Sequence, residues 1–122
     1  MDAHELPEVL ETIAASGRPF AEVVRSHDLS VGIYVLGAGA MDHQTPHTED
    51  EVYYVIRGRG WISVGDEERA VEAGSIVFVA ADVAHRFHHV DEELVVLVAF
   101  GPAEYTHRVD HDRGHSPVTP AA

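Results

Sequence analysis

The stretch His47-Thr48-Glu49-Asp50-Glu51-Val52-Tyr53-Tyr54-Val55-Ile56-Arg57-Gly58 sets a histidine and a glutamate four residues apart at the entrance of a run rich in valine, isoleucine and tyrosine. Such a run reads as a strand, in which successive side chains point to opposite faces. If Glu51 points inward, Tyr53, Val55 and Arg57 follow it, while Val52, Tyr54 and Ile56 face outward. Imidazole and carboxylate are ordinary ligands for zinc, iron, manganese or nickel, and an ion needs at least one further ligand from elsewhere in the chain. A second stretch, Gly74-Ser75-Ile76-Val77-Phe78-Val79-Ala80-Ala81-Asp82-Val83-Ala84-His85, offers one in His85.

Together the two stretches resemble the paired motifs of the cupin superfamily, G-x5-H-x-H-x3-4-E-x6-G and G-x5-P-x-G-x2-H-x3-N. Gly39, His47, Glu51 and Gly58 fit the first in register, and Gly74 and His85 fit the second. Thr45 stands where the first motif has its first histidine, Ala80 and Asp82 replace the proline and glycine of the second, and His89 replaces its asparagine. The resemblance covers roughly residues 20 to 100. It implies an all-β antiparallel jelly-roll barrel and one divalent transition metal ion (iron, manganese, nickel or zinc) held by His47, Glu51 and His85. For a fourth ligand the candidates are His43, which needs a bend in the chain, Gln44, or water. Gly37 and Gly39 permit such a bend, and Pro46 keeps Thr45 out of the helical region. The superfamily includes dioxygenases, isomerases, epimerases, lyases, storage proteins and non-catalytic sensors, so the fold does not name a reaction.

Composition narrows the chemistry. The chain of 122 residues is one domain's length, and no run of about 18 apolar residues or basic-then-apolar leader is present, which points to a cytoplasmic protein with no membrane partner. A formal net charge of −13 repels nucleic acid and anionic membranes. There is no cysteine, hence no disulfide, thiol nucleophile or thiolate site, and no lysine, hence no Schiff base. Neither a GxSxG turn nor a Walker-type phosphate loop occurs. Histidine, carboxylate, tyrosine and arginine remain, and ten histidines are the feature to explain. A base composition that favours arginine and histidine over lysine accounts for part of that number.

Outward from the motifs, residues 1–19 read as a short N-terminal helix and linker, with Pro7 in the first turn, apolar Leu6, Val9, Leu10, Ile13 and Ala14 at helical spacing, and Gly17 as a stop. Residues 20–101 read as the barrel, with strands at 20–25, 29–36, 51–57, 61–64, 69–72, 75–80, 84–90 and 94–100. Gly58-Arg59-Gly60 and Gly65-Asp66-Glu67 look like turns between them. Many short strands with glycine-marked turns indicate a sandwich or barrel. Residues 102–122 form a C-terminal tail in which His107, His111 and His115 are spaced by four, a metal-binding face if helical, although Gly114, Pro117 and Pro120 favour a tail without one. Glu49 and Asp50 read as solvated charges.

Parity places His85, Phe87 and His89 on one inward face, with Arg86 and His88 on the other. Tyr53 and His89 are thus the candidate catalytic groups beside the metal, for orienting a small-molecule substrate or moving a proton. The first functional reading is a metal-dependent, dioxygenase-like enzyme. A non-catalytic metal or small-molecule binding module and a metal-dependent isomerase or lyase are the alternatives. The outward apolar residues need a cover, for which the N-terminal helix, a second subunit in a homodimer, or both would serve.

Overall fold

A computed structural model describes residues 1–42 and 46–105. The first element, α1 (Leu6–Ser16), carries Pro7 in its first turn and ends at Gly17 in a left-handed conformation (φ 72°), as the stop signal anticipates. Its apolar stripe buries Val9 and Ile13 against Ile33 and Val95, with Leu6, Leu10, Val35, Ile56 and Leu97 packed around them. The helix therefore covers part of the sheet's outer face, which explains why Ile56 is half-buried although it points outward. No helix among the described residues is long and apolar enough to cross a membrane.

Six strands follow: β1 (Phe20–Arg25), β2 (Ser30–Leu36), β3 (Asp50–Val64), β4 (Glu67–Glu72), β5 (Ile76–Val79) and β6 (His85–Gly101). All pair antiparallel, in the order β1-β2-β6-β3-β4 with β5 on β3, giving the jelly-roll barrel. Inside lie Tyr34, Leu36, Tyr53, Val55, Ile62, Phe87, Leu94, Val96, Val98 and Phe100. Gly65 (φ 56°) turns β3 into β4 where the sequence places a hairpin.

The Gly58-Arg59-Gly60 reading is corrected. No turn stands there; β3 runs straight through it and pairs with β6 on both sides, Asp50–Arg57 against Val95–Gly101 and Arg59–Val64 against His85–Glu92. Register shifts at Arg57 and Arg59 bend this long ribbon into the corner between the two walls. Gly58 makes the corner possible, because at φ 97° a Cβ would stand 2.0 Å from the Glu93 carbonyl oxygen and 2.8 Å from Leu94 Cα. A glycine pair marks a bulge as readily as a hairpin, and only the strand pairing distinguishes the two. The same shift corrects the strand parity. Glu51, Tyr53 and Val55 are buried and Val52 and Tyr54 exposed as expected, but Arg57 is exposed and Ile62 is buried beyond the corner.

Candidate metal centre

Glu51, the second residue of β3, lies on the inner face and pairs with Val79 of β5; after a connection of five residues, His85 opens β6. The connection is tied to the other motif by backbone, since Asp82 N–H donates to the His47 carbonyl (2.6 Å) and Ala81 N–H to Asp50 Oδ1 (2.8 Å). Asp82 takes φ 65°, a left-handed conformation that aspartate tolerates better than most residues. Two segments far apart in sequence thereby bring His47, Glu51 and His85 into one buried cluster whose ligand atoms all lie within 4.8 Å of one another.

Glu51 Oε2 stands 3.0 Å from His85 Nε2 and 3.4 Å from His47 Nδ1. Neighbouring donors on an ion with bonds of about 2.1 Å are separated by roughly 3.0–3.4 Å, so these spacings suit a common ion. The remaining ring nitrogens are anchored. His85 Nδ1–H donates to the Val83 carbonyl (2.8 Å), which leaves Nε2 as the nitrogen turned toward Glu51 and available to an ion once it gives up its proton. His47 Nε2 lies 3.0 Å from Glu104 Oε2, so Nδ1 is the nitrogen turned into the cluster. Both Glu51 oxygens and His47 Nδ1 are buried without a well-formed hydrogen bond. Buried polar atoms are rarely left so, and three on one point fit the donor set of an ion. Phe100 (ring centroid 4.9 Å from that of His47) and Tyr53 (6.0 Å from His85) supply walls, with Phe87 packed behind Tyr53.

Burial by itself would lower the pKa of His47, but its contacts with Glu104 and Glu51 outweigh that and raise it from 6.5 to about 9. His85 is raised in the same way, chiefly by Glu51 against the opposing effect of burial. Burial would raise Glu51, yet His47 and His85 hold it below its ordinary value. Burial keeps Glu104 above the usual carboxylate range. For metal-free protein the sign follows from linkage: the raised histidine contributes stability that is full below 6.5 and is lost as pH rises through about 9. A metal displaces those same protons, so its apparent affinity should rise over that window with proton release on binding. Calorimetric titration with Zn²⁺ at pH 7 in buffers of differing ionisation enthalpy checks this; an enthalpy independent of buffer would contradict it.

The sequence placed His47, Glu51 and His85 together, and so does the fold. The candidates for a fourth ligand, His43 and Gln44, lie outside the described residues, as do His107, His111 and His115. Tyr53 is fully buried in the wall, edge-on to Phe87 with ring centroids 5.0 Å apart. The inward placement of His89 is corrected: it takes φ 48°, which turns its ring out to solvent beside Met41 and Asp91, while His88 is the buried member of the pair. Alternation fails there because a left-handed residue reverses the side-chain direction. Glu49 is also corrected from solvated to buried, accepting from Thr48 Oγ1 and from Tyr105 N–H (3.3 Å). Two buried acidic positions went unread. Glu104 follows Gly101-Pro102, where periodicity stops, and only tertiary packing brings it to His47. Asp42 accepts from Tyr34 O–H (2.6 Å) and Phe87 N–H (2.7 Å), fixing the chain ahead of the first motif's ligands; burial and Asp42 push the Tyr34 hydroxyl far up.

A family model described as "Cupin domain" matches residues 32–101. The chain is 47% identical over 104 residues to the uncharacterized protein SCO3923 of Streptomyces coelicolor, covering 85% of this chain and 99% of that one. Among solved structures it resembles TT1209 from Thermus thermophilus (TM-score 0.65, 23% identity, 84% of this chain and 99% of that one). It also resembles an RmlC-like cupin from Shewanella frigidimarina (TM-score 0.63, 22% identity, 69% and 75%).

Proposed function

The chain belongs to the cupin domain family, and on that footing we propose that it is a metal-dependent enzyme of oxygenase type acting on a small molecule, with one divalent transition metal ion held by His47, Glu51 and His85. The observation that carries the reading is the convergence of His47 Nδ1, His85 Nε2 and an otherwise unsatisfied, buried Glu51 carboxylate. Two imidazoles and one carboxylate with positions left open are the donor set of non-haem iron oxygenases, and manganese or nickel suits it as well. Such an ion supplies Lewis acidity and open positions for a substrate oxygen and for dioxygen. The protein contributes the rest. His85 Nδ1 is held by the Val83 carbonyl, and the Phe100 ring packs on His47. Tyr53 is the side chain proposed to orient the substrate; His89, turned out to solvent, is given no step.

Protein purified without an affinity tag and loaded with iron, manganese or nickel should bind close to one equivalent by elemental analysis, and at least one form should consume oxygen with a flavonoid, diketone, thiol or catechol-like compound. Failure of all three forms with all four classes removes the oxygenase reading. A specific small-molecule thermal shift in the same protein would then favour the binding module.

For assembly we propose a homodimer. The support is an apolar patch beyond the reach of α1, formed by the cross-strand pairs Val52–Phe78 and Tyr54–Ile76, of which Ile76 and Phe78 are 69% and 59% exposed. Light scattering at micromolar concentration should return twice the chain mass of 13.3 kDa, and Phe78→Glu should halve it. A monomer mass for the parent protein would rule the dimer out.

A further inference from the structure

We propose that Glu104 is a positioning residue that makes His47 an Nδ1 ligand, so that the two histidines of the centre present opposite ring nitrogens to a divalent transition metal. The inference rests on the metal reading above. Glu104 Oε2 lies 3.0 Å from His47 Nε2, with both side chains almost wholly buried. The carboxylate is not a passing neighbour, because its peptide is held at both ends: Glu104 N–H donates to Ser30 Oγ (2.7 Å) and its carbonyl accepts from Arg25 Nη2 (2.7 Å). Ser30 and Ala103 are themselves buried, so the segment after β6 is fastened to the start of β2 and the end of β1.

Two consequences follow for His47. A half-turn of the imidazole would set a ring carbon against Glu104 and strand a buried carboxylate without its donor, so the contact selects one ring orientation. With a metal bound, Nε2 then keeps the proton donated to Glu104 and Nδ1, 3.4 Å from Glu51 Oε2, gives its proton up and offers the lone pair. His85 has the reverse assignment, with Nδ1–H on the Val83 carbonyl and Nε2 toward Glu51. A carboxylate behind an imidazole makes it a more basic donor than a carbonyl does, so His47 is the stronger of the two nitrogen ligands.

The experiment uses the full chain with Zn²⁺. Two-bond ¹H–¹⁵N correlation spectra of ¹⁵N-histidine protein should show His47 metal-bound at Nδ1 and protonated at Nε2, and His85 the other way round. Glu104→Gln, which keeps the size and an acceptor but removes the charge, should weaken Zn²⁺ binding by ~10–100-fold in chelator competition while one equivalent is still reached at saturation. Metal bound through His47 Nε2 in the parent protein overturns the proposal, as does Glu104→Gln affinity within twofold of the parent's. If the variant does not fold, the parent's spectrum alone decides. A parent protein that takes no Zn²⁺ overturns this inference and the metal reading together. Binding lost in Glu51→Gln and unchanged in Glu104→Gln overturns this inference alone.

Discussion

Gly58→Ala is expected to destabilise the protein by roughly 2–6 kcal/mol, the sum of ~1–3 for a left-handed non-glycine residue and ~1–3 for forced displacement of packed neighbours. The atoms in the way are backbone, the Glu93 carbonyl at 2.0 Å and Leu94 Cα at 2.8 Å, so no side chain can swing aside. A domain of this size has a total stability of about 5–15 kcal/mol, and the change consumes a large part of it. Gly74 supplies the control. It has the same φ of 97°, but a Cβ there meets nothing within 4 Å, so Gly74→Ala carries the backbone term alone. Urea unfolding of both variants separates strain from collision. Equal losses in the two would mean that the β3–β6 corner yields, and that collision with Glu93 and Leu94 is not what requires glycine at position 58.

Glu51→Gln is the second large effect, at the chemistry rather than the fold. Glutamine keeps the shape and removes the anionic donor, and metal affinity is expected to fall by more than ~100-fold, beyond the range typical of residues behind the ligands. The metal-free variant should stay folded, because His85 can release a proton once Glu51 is neutral and His47 keeps Glu104 as its partner. Its stability should then decline less between pH 6.5 and about 9 than the parent's, Glu104 alone remaining as a partner of His47. Chelator competition and urea unfolding at the two ends of that window measure both quantities. Parent-like metal affinity in the variant would mean that Glu51 is a counter-ion and not a ligand.

The three proposed ligands were legible because their spacing is local within each motif. Four residues from His47 to Glu51, and a glycine-led run ending at His85, need no knowledge of packing. Parity was legible as far as Val55, since alternation holds while a strand stays regular. It failed at Arg57 and His89, where the ladder shifts register or the backbone turns left-handed. Glu104 was beyond reach for a different reason: it acts on a residue 57 positions away and lies outside any periodic segment. Asp42 likewise meets Tyr34 and Phe87 through the barrel interior, and an aspartate in a glycine-rich loop carries no local sign of that.

Asp82 and His89 break the letters of the second motif, yet both have positive φ, 65° and 48°. So do Gly39, Gly58 and Gly74, the glycines that match. Glycine, asparagine, aspartate and histidine are the residues that occupy this region most readily. At positions 82 and 89 the motif therefore behaves as a spelling of handedness, and the two substitutions there are synonyms. A search pattern written as the sign of φ at positions 39, 58, 74, 82 and 89 would find no mismatch in this chain at any of the five. Relatives that exchange those four residue types at positions 39, 74, 82 and 89 should keep the backbone path that delivers His85 to Glu51, whatever their letter-by-letter score, whereas position 58 has no room for any side chain.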